Sequence, residues 1–99
     1  MRLTPVQIER IRDVARRVLG DDARVTLFGS RADDRKKGGD IDLYFETDAI
    51  LANRAQTVCR LYAALVVALG ERKIDVILKD AQTPPAPIFA AAQRTGVSL

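Results

Sequence analysis

The sequence predicts a small α/β domain in which a small mixed sheet is flanked by helices. Three observations lead to this class. Two long segments repeat apolar residues at helical spacing, three short segments have the composition of strands, and glycine or proline residues separate them. The predicted element order is α-β-β-α-β-α. Because 99 residues leave room for one core, residues 1–99 are predicted to form a single domain.

The first helix has well-marked ends. Thr4 can cap it, Pro5 suits its first position, and Gln7 would complete a capping box. Gly20 is placed to end it. Its apolar residues recur at three- and four-residue steps, which predicts one buried face made of Ile8, Ile11, Ala15 and Val18.

Three segments are predicted to be strands. They are RVTLF at Arg24–Phe28, DIDLYFE at Asp40–Glu46 and KIDVILK at Lys73–Lys79. The last predicted element is a short helix over Ile88–Arg94, which Gly96 would end after the turn-forming sequence TPPAP.

A long helix is predicted over Ala49–Leu69, between the second and third strands, with Gly70 ending it. Cys59 lies beside its apolar stripe and is interpreted as a small packed residue. Further apolar residues, among them Ile50 and Val67, exceed what one buried face needs, so a partner interface and burial on two sides both remain open. The predicted stripe comprises Leu51, Ala55, Val58, Tyr62, Leu65 and Leu69.

Composition excludes several classes of function. Hydrophobic residues make up 47% and charged residues 29%, as in folded soluble proteins. The longest apolar run, Leu61–Leu69, is shorter than the roughly 20 residues of a membrane span, and no signal peptide is recognised, so a cytoplasmic location without membrane contact is expected. With no histidine and one cysteine, a bound metal would need oxygen ligands. The net charge of +3 permits nucleic acid as a partner without indicating it.

Three acids carry the candidate site. Asp40 and Asp42 alternate with apolar residues, so both would lie on one face of a strand, about 6.6 Å apart along it. Asp75 repeats this pattern in the third strand, and on neighbouring strands the three carboxylates would converge. Two such charges about 5 Å apart repel by about 3 kcal/mol at an effective dielectric near 20, so a cation is expected between them. Hard oxygen ligands favour Mg²⁺ or Mn²⁺.

A glycine-serine turn supplies a candidate anion site next to the acids. Gly29 would let the backbone approach a phosphate closely, and Ser30 and the exposed amides would donate hydrogen bonds to it. Arg31 and the basic residues Arg35, Lys36 and Lys37 would add positive potential. Each feature also has a simpler interpretation, namely an ordinary turn, a solvated strand face or an exposed loop. Their combination in this order favours phosphoryl transfer.

The stretches GSRA, GGDIDLYFE and KIDVIL resemble the DNA polymerase beta-like nucleotidyltransferase superfamily, specifically its minimal nucleotidyltransferase (MNT) members, as in HEPN/MNT toxin–antitoxin pairs. The resemblance spans Val25–Leu78. It implies the polymerase beta-like nucleotidyltransferase fold and transfer of a nucleoside monophosphate, AMP above all, from a nucleoside triphosphate such as ATP to a hydroxyl acceptor. Gly39 departs from the serine that many relatives carry before the first acid.

The resemblance also implies residue roles and a partner. Asp40 and Asp42 would bind two Mg²⁺ ions, and Asp75 would join the catalytic metal and help to deprotonate the acceptor. Gly29 and Ser30 would hold the triphosphate, with Arg31 beside them. Larger members attach a second domain, which these 99 residues are expected to lack. The implied partner is a small helical protein, either HEPN-type or similar to a substrate-binding domain, with a homodimer as the lesser alternative.

Three functions therefore compete. The first is an active nucleotidyltransferase that serves as an antitoxin component. The second is an antitoxin module that neutralises its partner by contact, with a vestigial site. The third is an α/β domain that binds a divalent ion for structural reasons.

Overall fold

A computed structural model describes residues 3–29, 40–70 and 72–99 of the chain. Within these ranges three α-helices accompany a four-stranded mixed sheet, which confirms the α/β class. The elements follow one another as α1 (Pro5–Leu19), β1 (Arg24–Phe28), β2 (Ile41–Glu46), α2 (Arg54–Leu69), β3 (Ile74–Lys79), α3 (Pro87–Thr95) and β4 (Val97–Ser98). The predicted order lacked β4, because two residues are too few to give a periodic signal. None of the described helices has the length and apolar composition needed to cross a membrane.

The sheet has the strand order β3-β2-β1-β4. β1 pairs antiparallel with both β2 and β4, whereas β2 and β3 run parallel. One face of the sheet is covered by α1 and α2. Their buried side chains form a single core with the inward-facing residues of the strands, among them Val25, Leu27, Ile41, Leu43, Phe45, Ile74 and Leu78.

α1 begins as the sequence predicts. The Thr4 hydroxyl accepts a hydrogen bond from the Gln7 amide at 3.1 Å, and the Gln7 side chain accepts one from the Thr4 amide at 2.9 Å. This reciprocal pair is the predicted capping box, which satisfies two amides that the helix itself leaves free.

α2 begins at Arg54, five residues later than the predicted start at Ala49. Two side chains explain the later start. The Asn53 side chain caps the helix by accepting from the Gln56 amide at 3.0 Å, and the buried Asp80 carboxylate accepts from the Leu51 amide at 3.0 Å. Because Asp80 takes the Leu51 amide, the chain before Asn53 is held in a non-helical turn.

The predicted buried stripe of α2 was wrong in part. Leu65 and Leu69 are buried as expected, but Ala55 and Tyr62 are exposed. Cys59 is exposed too, which contradicts its interpretation as a packed residue. The buried side chains of α2 are Thr57, Leu61, Leu65 and Leu69, while Leu51 and Val58 of the predicted stripe pack against the core partly buried.

The opposite face of the sheet is polar and only partly covered. α3 lies on this face, where the Phe89 ring stacks on the Tyr44 ring with centroids 5.5 Å apart, and Ala92 is buried. At one end of this face Arg24 pairs with Glu46 and Asp48. The other end, where β2 and β3 begin, carries the acids of the candidate site.

Candidate active site

Strand register brings two of the three predicted acids together. Asp42 is directly opposite Asp75 in the parallel pairing of β2 with β3, and it is opposite Phe28 in the antiparallel pairing with β1. Neighbouring strands lie about 4.8 Å apart, so two side chains at the same register position on one face must meet. Asp42 and Asp75 are therefore side by side, close enough for the two carboxyl groups to interact.

This contact changes the chemistry of Asp42. Partial burial, the hydrogen bond with Asp75 and the negative charges of Asp75 and Asp40 together raise the pKa of Asp42 to about 6, from an ordinary value of 3.8. Lys73 acts in the opposite direction and lowers it. The pair is therefore short of positive charge, and a divalent cation would relieve the repulsion.

The third acid has a different neighbour. Asp40 lies just before β2, and its Oδ2 atom is 3.5 Å from the Nζ atom of Lys73. The Ile41 amide donates to the Lys73 carbonyl at 3.0 Å, which keeps the first residues of the two strands side by side. The structure thus joins Asp42 to Asp75 and Asp40 to Lys73. In the described parts of the chain, no three acidic or thiol side chains converge closely enough to form a metal site.

Gly29 faces Asp42 from the end of β1. Its φ angle is +74°, a conformation that residues with a side chain rarely adopt. A β-carbon at this position would overlap the Asp42 carboxylate, with nothing but side-chain atoms of Asp42 nearest to it. Glycine is therefore required here for two reasons, the backbone conformation and the Asp42 carboxylate, which already fills the place that a methyl group would take.

Carboxylate oxygens are the donors that a divalent cation prefers, and Asp42 and Asp75 supply them side by side. The described residues do not bring a third acid close enough to complete the predicted three-acid site. Ser30 and Arg31, the other two predicted phosphate-binding residues, lie outside the described residues, as do Arg35, Lys36, Lys37 and Gly39. Their predicted roles stay predictions.

In the described part of the chain, two cavities lie away from Asp40, Asp42 and Asp75. One of about 330 Å³ lies against Arg12, Arg16 and Arg24 at the start of β1. The other, of about 500 Å³, lies beyond the end of β3 and is bounded by Arg54, Phe89 and the turn after Asp80. Asp80 itself is buried, and its pKa is lowered because the Leu51 amide and the Thr83 hydroxyl donate to it. These partners give Asp80 a structural role.

Sequence reasoning missed Lys73. The sequence analysis used Lys73 only as the first residue of a predicted strand and gave its charge no role. Because side chains alternate along a strand, a basic residue two positions before Asp75 is expected on the same face as that acid. That spacing was the available signal. Comparison with protein-family models and with curated proteins finds no match for this chain.

Proposed function

We propose that this protein is a Mg²⁺-dependent nucleotidyltransferase of the minimal type that its motifs resemble. The observation that carries the proposal is the placement of Asp42 opposite Asp75 in the parallel pairing of β2 with β3, with Gly29 next to Asp42. A surface acid with no functional demand is rarely held against a second acid, because the repulsion lowers stability. The pair makes sense if a cation and a nucleotide normally neutralise it.

In this proposal Asp40, Asp42 and Asp75 hold the cation. Bound Mg²⁺, with Mn²⁺ as a substitute, would stabilise negative charge on the attacking and leaving oxygens of an in-line displacement. Asp75 accepts the proton of the acceptor hydroxyl. The bond from that oxygen to the α-phosphorus forms, the bond to the bridging oxygen breaks, and pyrophosphate leaves with the electron pair. Gly29 and Ser30, which follow β1 in the sequence, would hold the triphosphate.

The proposed nucleotide is ATP, and the proposed acceptor is a hydroxyl group on a helical partner protein. The exposed side of α2 supports a partner. Val67 is 88% exposed and Tyr62 46% exposed, and neither has a role in the core. An antitoxin that neutralises its partner by contact through this side of α2 is the second candidate function. Both candidates place the protein in a complex.

Calorimetry with ATP tests the first candidate. We expect binding in Mg²⁺ and little binding in chelator, because the triphosphate and the carboxylates repel one another without the cation. Asp42→Asn should abolish nucleotide transfer and leave the protein folded. Val67→Asp is the matched variant for the second candidate, since it should break a contact through α2 and leave ATP binding unchanged. Equal ATP affinity with and without Mg²⁺ would reject the nucleotidyltransferase.

A further inference from the structure

β3 lies at one edge of the sheet, because the strand order of the described residues is β3-β2-β1-β4. The backbone groups on the outer side of an edge strand can pair with a strand of another chain. In β3 the carbonyls of Lys73 and Lys79 accept hydrogen bonds of 3.0 Å from the β2 segment. Because backbone groups alternate sides along a strand, those of Ile74, Val76 and Leu78 point away from the sheet.

One of these outward groups, the Leu78 carbonyl, already has a partner. Arg54, the first residue of α2, donates to it from Nε at 3.2 Å and also from Nη2. Leu78 is fully buried although it belongs to an edge strand, whereas Val76 in the middle of β3 is only partly buried. The Arg54 side chain therefore covers the outer side of β3 near its C-terminal end.

Two copies of β3 could pair antiparallel about a two-fold axis, as identical chains commonly do. Three registers give two or more hydrogen-bonded pairs between outward residues, and the residue on the axis is then Asp75, Val76 or Ile77. In the registers around Val76 and Ile77, the Leu78 carbonyl must accept an amide of the second copy. Arg54 occupies that carbonyl, so it prevents both registers.

Charge decides among the three registers. With Asp75 on the axis, the two Asp75 side chains lie directly opposite each other, and with Val76 on the axis, Lys73 lies opposite Lys79 of the second copy. Like charges in such positions are destabilising. With Ile77 on the axis, Asp75 of each copy lies opposite Lys79 of the other. The register with complementary charges is therefore one that Arg54 prevents.

We propose that Arg54 closes the β3 edge, and that without its side chain two copies of this chain pair through β3 with Ile77 on the two-fold axis. The partner that fits this edge is thus a second copy of the chain. The inference is independent of the proposed function, because no cation or nucleotide takes part in it.

Sedimentation equilibrium of the full chain over a range of concentrations tests the proposal. Arg54→Met keeps an apolar side chain of similar length and removes the donors. It should self-associate about tenfold or more tightly than the original protein, because the pairing gains two backbone hydrogen bonds to the Leu78 carbonyls. Arg54→Ala should behave in the same way. Arg60→Met is the matched control, since Arg60 is an exposed arginine of the same helix, and it should leave self-association unchanged.

Amide hydrogen exchange shows where the copies meet. The Val76 amide points outward, so it should exchange readily in the original protein and become protected in concentrated Arg54→Met. Adding Val76→Pro removes this amide without touching the bonds to β2, and it should return Arg54→Met to the self-association of the original protein.

Three results would overturn the proposal. The first is a folded Arg54→Met or Arg54→Ala that self-associates no more than the original protein does. The second is stronger self-association with the Val76 amide still unprotected, because the contact would then lie elsewhere. The third is failure of both variants to fold by circular dichroism, because Arg54 would then be required for the fold itself.

Discussion

Asp42→Asn tests whether the carboxyl pair lowers the stability of the metal-free protein. The pKa of Asp42 is about 6 in the folded protein against an ordinary 3.8, so between these values the folded chain binds more protons than the unfolded one. Stability must therefore fall as the pH rises through this window, and the full loss is present above it. Asparagine cannot ionise and should remove this loss.

The size of the effect follows from the pKa difference. Raising the pKa of Asp42 from 3.8 to about 6 sets a ceiling of about 3 kcal/mol. Burial is the largest cause and repulsion by Asp75 adds to it, but Asp42 is only partly buried and water screens both effects, so about 1–2 kcal/mol is expected at pH 8. For a domain of this size that corresponds to a rise in Tm of about 5–10 °C. At pH 4 the rise should be close to zero.

Thermal unfolding in chelator, at pH values between 4 and 8, measures this difference directly. Asp21→Asn is the matched control, because Asp21 is an exposed acid in the turn before β1, far along the sheet from Asp42. It should change Tm little, and equally at every pH. If Asp42→Asn instead lowers Tm by the same amount at pH 4 and pH 8, Asp42 is a structural acid and the argument from repulsion fails.

Two further substitutions test the surroundings of the site, each by urea unfolding. Gly29→Ala should lower the free energy of unfolding, because residues with a side chain rarely adopt its φ of +74° and because the new methyl group would strike Asp42; an unchanged free energy of unfolding would mean that the backbone and Asp42 both adjust freely. Tyr44→Phe should leave the free energy of unfolding unchanged or raise it by about 1 kcal/mol, because the buried hydroxyl has no hydrogen-bond partner among the described residues. A clear loss of stability in that variant would show that the hydroxyl is satisfied.

Elements with strong local signals could be predicted from the sequence. The α1 capping box depends on residues three apart, and β1 matches its predicted bounds Arg24–Phe28. The start of α2 could not be predicted in this way, because it depends on Asp80, which lies 29 positions from Leu51 in the chain. A local pattern holds no information about such a contact.

The buried side of α2 was mispredicted for a different reason. Apolar residues surround most of this helix, so its periodicity is weak and two neighbouring stripes fit the pattern equally well. The choice between Leu61 and Tyr62 as a core residue was made by packing. Leu61 is fully buried in the core, whereas Tyr62 is exposed.

The part of the candidate site that depends on side-chain alternation along strands could be predicted from the sequence. Alternation placed Asp42 and Asp75 on one face, and their contact then required only that β2 and β3 be neighbours. The association of Asp40 with Lys73 lay beyond that reasoning. It depends on the parallel register, which puts the first residues of both strands side by side.

The acidic side chains at the two ends of the polar sheet face have different neighbours, and acids lie next to each other only at the Asp42 end. At the end near Glu46, Arg24 lies within 3.4 Å of Glu46 and 3.0 Å of Asp48, so the acids there are paired with a cation from the chain itself. α3 covers the middle of the face through Phe89 and Tyr44. At the opposite end Asp42 and Asp75 lie side by side, and Lys73 is paired with Asp40. If this face only contacted solvent, there would be no reason for acids to be paired with a basic residue at one end and placed next to each other at the other end. A bound divalent cation would neutralise the excess negative charge at the Asp42 end.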